Sequence, residues 1–389
     1  MVSTPKKSTT TRRKGKPKVD LAIAIDFGGS LTKIIGGLPD GKWCAVAMEP
    51  EVVQISEHTA QAFERNTLGN GRANDRAWVK INDQVHAVGY LAREFLGDAG
   101  LWRPKVDLAV YKILAAIWVL KEHWQLKNKF SVSIACVLPP GEYQERDLLE
   151  QQVKEVIHDF ETPTGTMKIR CRSFVCRPEG FGVLGCHQLS KGMSYLKQTV
   201  TANVMLGHRN SSLMVCHRGR ISNFVSSDLG FIQLVRKVMD NVAGQDETKL
   251  GKAIAQAGVN IEPFPLEKVL RHTDKKLREQ ELDQLIKAIR SARSDYMVLI
   301  SNWLAKTLTT GVSDIVLCGG TADYLGEQGW QWNQSYQIYW HSNLKLPSTL
   351  EGMGLGNRML DVWGLWKWHQ ERIFDKKKVA RITSMNEVV

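Results

Sequence analysis

The chain has 389 residues, which exceeds the roughly 250–300 residues that one hydrophobic core usually serves, so two domains are expected. Its hydrophobic fraction of 43% is sufficient for sizeable cores, and the sequence contains neither a run of about 18 apolar residues nor a secretory signal. The seven cysteines are scattered and include no Cys-x-x-Cys pair, which argues against a disulfide scaffold and favours a reducing, cytoplasmic setting.

The basic charge is concentrated in a leader, residues 1–19. This leader carries seven Lys and Arg residues and no acid, and its charges make up over half of the formal net charge of +12. Such a composition, rich in Ser, Thr, Pro and Gly, predicts a disordered segment. Residues 3–18 could bind DNA phosphates or an anionic membrane surface without reading sequence. A protein partner or a purely solubilising role are the other interpretations.

The stretch after the leader carries the strongest functional signal. An apolar, β-branched strand pattern at residues 21–25 ends at Asp26, whose carboxylate could hold a hydrated Mg²⁺. Glycines in the following turn allow close approach of the backbone, so its amides can bind phosphate oxygens while Lys33 adds a mobile charge. The turn is neither a Walker A loop nor a dinucleotide fingerprint, and alone it is equally consistent with an ordinary hairpin. The residues that would bind phosphate are Gly28, Gly29, Ser30, Leu31 and Lys33.

Four later segments strengthen the phosphate-binding interpretation. Two strand patterns end in turns, and the second of them runs into an Arg-Pro-Glu-Gly sequence that places Glu179 at a strand-to-helix junction. A second strand-turn-strand unit follows, and a late strand ends in Gly319 and Gly320 before a short helix. Two similar hairpins, an acidic junction and a late glycine pair predict a duplicated α/β nucleotide-binding fold. These segments are residues 131–144, 167–182, 202–215 and 315–322.

Together these segments resemble the superfamily of actin, sugar kinases and heat-shock chaperone ATPases, and most closely the bacterial actin-like ParM/StbA proteins that segregate plasmid DNA. The resemblance covers roughly residues 20–370. It implies an actin-like ATPase fold of class α/β, with two duplicated domains and a nucleotide cleft between them. It also implies ATP or ADP with Mg²⁺ as cofactors and Asp26 as the metal ligand. The adenosine motif would contain Gly319, Gly320 and Thr321.

The resemblance also implies catalytic roles, and one position departs from the family pattern. Glu179 would orient the hydrolytic water, with Asp26 beside it organising Mg²⁺. In the second phosphate loop, Met205 stands where the family usually has an acid, and methionine supplies no oxygen for Mg²⁺ or water. We therefore expect binding to survive better than hydrolysis, unless Asp26 alone is sufficient for the metal. The second loop would contain Gly207, His208, Arg209, Asn210 and Ser211.

The expected domain organisation follows the same resemblance. A small subdomain would be inserted into the first domain, and a closing helix would return the chain from the second domain to the first. The predicted segments are the leader at 1–19, domain I at 20–182 with its insert at about 40–100, domain II at 183–349, the closing helix at 350–374 and a flexible tail at 375–389.

The expected function is that of an actin-like ATP-binding protein that polymerises into cytoskeletal filaments and hydrolyses ATP slowly. Its partners would be further copies of itself, an adaptor protein, and DNA or a membrane through residues 3–18. Trp368 on the last helix is a candidate subunit contact, because exposed tryptophan is enriched at interfaces. The alternative is a non-hydrolysing nucleotide-bound scaffold docked through its leader. A sugar kinase is disfavoured, since no signature of that class is present.

Overall fold

The computed structural model describes residues 18–66, 69, 71–327, 330 and 336–374. The strands are β1 (Leu21–Phe27), β2 (Thr32–Gly37), β3 (Trp43–Met48), β4 (Val52–Ile55), β5 (Trp78–Ile81), β6 (Gln84–Val88), β7 (Lys129–Leu138), β8 (Phe160–Thr162), β9 (Gly165–Pro178), β10 (Val200–Leu206), β11 (Ser211–His217), β12 (Arg220–Ser227), β13 (Asp314–Cys318) and β14 (Gln337–Trp340). The helices are α1 (Glu57–Asn66), α2 (Tyr90–Glu94), α3 (Val106–His123), α4 (Arg146–Val156), α5 (Phe181–Lys191), α6 (Met193–Leu196), α7 (Phe231–Met239), α8 (Glu247–Ala257), α9 (Pro263–Glu267), α10 (Lys275–Thr307), α11 (Gly320–Leu325), α12 (Ser348–Glu351) and α13 (Leu360–Ile373).

Two sheets repeat one topology, which confirms the predicted α/β fold with duplicated domains. The larger sheet has the order β3-β2-β1-β7-β9-β8-β5-β6-β4, and the smaller has the order β12-β11-β10-β13-β14. In each sheet a meander of three antiparallel strands is followed by two strands parallel to the first strand of the meander. The turn that follows β1 and the turn that follows β10 therefore occupy equivalent places in the two halves.

The expected insert at about residues 40–100 divides between two parts of the larger sheet. Strand β3 lies inside that range but pairs residue for residue with β2, so it belongs to the duplicated core of domain I. Strands β4, β5 and β6 form the outer end of the sheet, and β8 connects them to β9. Of the strands expected in the insert, β4, β5 and β6 therefore lie outside the part of the larger sheet that the smaller sheet repeats, whereas β3 lies within it.

Separate apolar cores lie behind the two sheets. Helix α3, apolar on nearly every face, is buried against the larger sheet, with Trp118 fully enclosed. Helices α7, α8 and α10 cover the smaller sheet, where Tyr296 of α10 is fully buried. The closing helix α13 packs on β1, β2 and β7, with Trp366 at its centre, so the chain ends its described part against the first sheet.

Helices α5 and α13 cross at two glycines that permit very close contact. A Cβ atom on Gly182 would lie 1.8 Å from the carbonyl oxygen of Asp361, and one on Gly364 would lie 1.9 Å from the carbonyl oxygen of Gly182. No side chain fits at either position without separating the helices. Because α5 begins immediately after Glu179 and Gly180, this crossing fixes the position of the acidic junction.

Several expectations concern segments at the chain ends. Residues 1–17 of the leader and the expected tail at 375–389 lie outside the described residues. Trp368 is half-buried: it contacts Phe181 edge-on, and the guanidinium groups of Arg177 and Arg372 lie 4.8 and 4.6 Å from its ring. Among the helices of the described ranges, none has the length and apolar character needed to cross a bilayer.

Candidate functional site

A cavity between the two sheets brings the predicted loops together. Its volume is about 540 Å³, within the range of roughly 300–1,000 Å³ that is usual for ligand sites. Both hairpin turns, the acidic junction and the late glycine pair contribute to its wall. The predicted site residues that line it are Asp26, Gly28, Gly29, Ser30, Leu31, Lys33, Glu179, Gly207, His208, Arg209, Asn210, Gly319, Gly320 and Thr321.

Ser211 is the one predicted site residue that does not line the cavity. It is fully buried at the start of β11, and its hydroxyl donates to the carbonyl oxygen of Leu229. Successive side chains of a strand point to opposite faces, so the next residue, Ser212, faces Glu179 instead. Its hydroxyl lies 3.5 Å from Oε2 of Glu179.

The first turn combines a tight backbone with a buried ion pair. A Cβ atom on Gly28 would lie 2.5 Å from the carbonyl oxygen of Leu31, so this turn requires glycine. Asp26 is buried and pairs with Lys33, whose Nζ also donates to the carbonyl oxygen of Arg358 at 3.0 Å. Arg358 in turn donates to the Ser30 hydroxyl at 2.8 Å. Two cations therefore flank the first turn.

The second turn has the same length as the first but lacks its acid. Met205 pairs across the hairpin with Ser212, just as Asp26 pairs with Lys33, and Met205 lines the cavity. Burial, reinforced by the charge of Arg358, lowers the pKa of His208 to about 4, so its imidazole is neutral at neutral pH. The positive charge of this turn is carried by Arg209.

Glu179 is held by groups from both halves of the molecule. Its Oε1 pairs with Nζ of Lys105, and its Oε2 accepts a hydrogen bond from Nδ2 of Asn210 at 3.3 Å. Lys105 also donates its backbone N–H to Oε2 of Glu142 at 2.6 Å, and Oε1 of Glu142 pairs with Arg209. The sequence assigned no role to Lys105, and Glu142, although it lies in the segment 131–144, was not singled out as a site residue.

The junction that carries Glu179 is capped by a buried acid. Asp361, in the first turn of α13, accepts hydrogen bonds from the backbone N–H groups of Gly180, Gly182 and Val183 at 2.9, 2.8 and 3.1 Å. Burial, together with the nearby charge of Asp26, raises the pKa of Asp361 to about 7. The cap ties the closing helix directly to the acidic junction.

The late glycine pair packs directly against the second turn. Gly319 has a φ of +100°, and a Cβ atom there would lie 2.3 Å from the carbonyl oxygen of Leu206. Thr321 donates its hydroxyl to the carbonyl oxygen of Gly207 at 2.7 Å. The wall beyond this pair comes from α8 and α11, including Lys252 and Tyr324, which the sequence analysis did not assign.

The residues of the cavity fit a nucleotide with Mg²⁺. The two turns offer backbone amides, and the cations Lys33, Lys105, Arg209 and Arg358 line the same space. Among the described residues, no group of three His, Cys, Asp or Glu side chains is arranged to hold a metal ion. Asp26 offers one carboxylate at the first turn, and one carboxylate with substrate phosphates is a usual Mg²⁺ arrangement.

Neither a protein-family model nor a curated protein sequence matches the chain. Solved structures do match. A 15-stranded ParM filament from Clostridium botulinum aligns with a TM-score of 0.61 at 15% identity, over 91% of this chain and 100% of that one. The archaeal actin homologue Ta0583 in complex with ADP aligns with a TM-score of 0.57 at 13% identity, over 90% of this chain and 99% of that one. The pSK41 ParM protein in its apo form aligns with a TM-score of 0.54 at 12% identity, over 93% of this chain and 100% of that one.

These comparisons define the class of the molecule as the actin-like fold. The alignments cover nearly the whole of each chain, so both duplicated halves and the cleft between them are shared. The resemblance inferred from the sequence is confirmed as a likeness of fold to ParM proteins.

Proposed function

We propose that the chain is an actin-like ATP-binding protein of the plasmid-segregation type, which assembles into filaments and hydrolyses ATP slowly. One observation carries the proposal: two equivalent hairpin turns, an acidic junction and a glycine pair face one cavity between duplicated halves. Each of these features alone has an ordinary structural interpretation. Their convergence on a cavity of ligand size supports a nucleotide site.

The residues divide the chemistry among them. The backbone amides of residues 28–31 and 207–210 bind phosphate oxygens from opposite sides, and Asp26 holds Mg²⁺ when the metal is bound with nucleotide. The metal supplies charge neutralisation at the phosphates. Glu179 orients a water toward the terminal phosphorus of ATP and draws off its proton. The new phosphorus–oxygen bond replaces the bond to the bridging oxygen, which leaves with ADP.

Filament formation is the proposed use of this nucleotide site. The similar structures include a ParM filament, and a head-to-tail contact that does not close into a ring produces a filament. Loss of the terminal phosphate would change how the two halves close on each other, so hydrolysis would time disassembly. We propose a cytoplasmic setting for this activity, with an adaptor protein coupling the filament to its cargo.

A non-hydrolysing scaffold is the second candidate. Met205 favours it, because the second turn offers no carboxylate to the cleft. In that case nucleotide would stabilise the filament, and the leader would dock it on DNA or an anionic membrane through residues 3–18.

Light scattering recorded together with phosphate release tests both candidates. The purified protein would receive Mg²⁺ with either ATP or GTP. Scattering that rises and then falls as phosphate appears supports the hydrolysis-timed filament. A persistent rise with little phosphate favours the scaffold, and no rise with either nucleotide contradicts polymerisation.

Deletion of residues 1–19 tests the leader separately. The full chain and the shortened chain would be sedimented with random-sequence DNA and with vesicles of anionic lipid. Binding to DNA that is lost with the leader and falls steeply with salt supports a DNA role, because phosphate contacts release counterions. Equal sedimentation of the two chains in both assays contradicts a docking role for residues 3–18.

A further inference from the structure

Lys105 is a buried cation inside the candidate nucleotide cleft. It precedes α3, and its side chain is only 8% exposed, while that of its partner Glu179 is 2% exposed. Both residues line the cavity. A buried lysine is rarely retained without a partner or a function, since removal of its charge from water is costly. Here the partner is the carboxylate to which the proposed function gives the water-orienting role.

Lys105 lines the same cavity as the two turns to which the proposed function assigns phosphate binding. Glu179 contacts Lys105 through one oxygen and Asn210 of the second turn through the other, so its carboxylate joins the ammonium group to that turn. An ammonium group has three N–H donors and can therefore bind a phosphate oxygen while it keeps a carboxylate partner. A phosphate oxygen is also the stronger competitor in charge, because the terminal phosphate carries more than one negative charge.

We propose that Lys105 binds the terminal phosphate of ATP and, through its ion pair, positions Glu179. The inference rests on the proposed function and assigns to Lys105 the discrimination between ATP and ADP. Without the terminal phosphate, the ammonium group holds Glu179 alone. With that phosphate, the ammonium group is shared between the phosphate and Glu179, and the carboxylate held in this way accepts a hydrogen bond from the water.

The same lysine connects the two halves of the molecule. Its backbone N–H donates to Glu142, and Glu142 pairs with Arg209 of the second turn. The 3-10 turn that contains Glu142, Pro140–Glu145, also contacts β12: the Gly141 N–H donates to the Ser226 hydroxyl at 3.0 Å. The residue that pairs with Glu179 is therefore tied through its backbone to contacts between the two sheets.

Equilibrium binding of ADP and of the non-hydrolysable analogue AMP-PNP tests the assignment. The affinities would be measured by calorimetry, so that hydrolysis plays no part. Lys105→Met should lower the affinity for AMP-PNP by about tenfold or more and change the affinity for ADP by less than about threefold, because one charge-assisted contact to the terminal phosphate is lost. Lys105→Arg, which keeps the charge, should restore most of the preference for AMP-PNP.

Matched variants separate this effect from loss of a buried charge. Lys112→Met removes another buried lysine two turns farther along α3, one that does not line the cavity, and should leave the ratio of the two affinities unchanged. The double variant Lys105→Met with Glu179→Gln removes both charges of the pair. If Lys105→Met alone fails to fold, the affinities for AMP-PNP and ADP are measured on this double variant instead.

The outcomes distinguish the inference from the function on which it rests. Wild-type protein that binds neither nucleotide contradicts the proposed function and the inference together. Wild-type protein that binds both, with an affinity ratio that Lys105→Met and the double variant leave unchanged, contradicts the inference alone. An equal loss of ADP and AMP-PNP affinity in the folded variants would show a general structural role for Lys105 and would also overturn it.

Discussion

Met205 and Asp26 occupy the same position in the two copies of the duplicated hairpin. Each lies two residues before the first glycine of its turn, with Asp26 opposite Lys33 and Met205 opposite Ser212. Both side chains line the cavity. The two hairpins therefore supply the cleft with one carboxylate where their symmetry would allow two, and this asymmetry is the structural basis for expecting slow hydrolysis.

Restoring the second carboxylate should accelerate hydrolysis. Met205→Asp places oxygen ligands beside the second turn, where they can order water around Mg²⁺, and we expect phosphate release to rise by about tenfold or more. The rate should also depend more steeply on Mg²⁺ concentration. Steady-state phosphate release at several Mg²⁺ concentrations provides the measurement.

Met205→Leu is the control for that substitution, because it conserves the volume and apolar character of the side chain. It should hydrolyse ATP at the wild-type rate. If the Asp and Leu variants release phosphate equally fast, the missing carboxylate does not limit turnover.

Replacement of the acid at the junction should separate binding from hydrolysis. Glu179→Gln keeps the shape of the side chain but removes its ability to accept a proton, so single-turnover phosphate release should fall by about a hundredfold or more. ADP affinity, measured by calorimetry, should stay within about threefold of wild type. A variant with undiminished release would exclude Glu179 from the reaction.

The sequence predicted best those parts of the candidate site that are formed by residues close together in the chain. The first turn, the acidic junction and the glycine pair are each defined by a few consecutive residues, and the structure places all three on one cavity. Lys105 could not be assigned in this way, because it lies 74 positions from Glu179 and precedes a helix whose pattern indicates only burial. Arg358 contacts Lys33 across 325 positions, a separation that no local sequence pattern spans.

The strand register explains why Ser211, a predicted site residue, does not line the cavity. Ser211 and Ser212 are equivalent in sequence terms, and only the pairing of β10 with β11 decides which of them faces Glu179. The position of β3 could not be predicted for a similar reason. It lies within the expected insert, but it pairs with β2 through hydrogen bonds that its own sequence does not specify. Both depend on contacts between strands.

The crossing of α5 and α13 predicts a sharp contrast between two glycines of one helix. Gly182→Ala would force a methyl group against the Asp361 carbonyl and should lower the free energy of unfolding by about 3 kcal/mol or more. At Gly185, one turn along, a methyl group would lie 3.9 Å from its nearest neighbour, the Gly364 carbonyl oxygen. Gly185→Ala should therefore be neutral or stabilise by up to about 1 kcal/mol through helix propensity. Urea unfolding of both variants measures the contrast, and equal effects would contradict the close crossing.

His369 predicts a loss of stability in mild acid. It is buried on α13, its Nε2 lies 3.1 Å from the Ser133 hydroxyl, and burial, together with the charge of Arg372, lowers its pKa from 6.5 to about 4. Between these two values the unfolded chain binds a proton that the folded chain does not bind. The contribution of His369 is therefore fully present above about pH 6.5 and is lost as the pH falls toward 4, by up to about 1.4 kcal/mol per pH unit.

A variant isolates this contribution from the other titrating groups. His369→Gln removes the ionisable ring, so the difference in unfolding free energy between pH 7.5 and pH 5 should shrink by about 1–2 kcal/mol relative to wild type. His158→Gln, which removes an exposed histidine, is the matched control. Urea unfolding at the two pH values provides the measurement. An identical pH dependence in wild type and His369→Gln would mean that His369 is protonated equally in the folded and unfolded chains, contrary to its enclosure between α13 and β7.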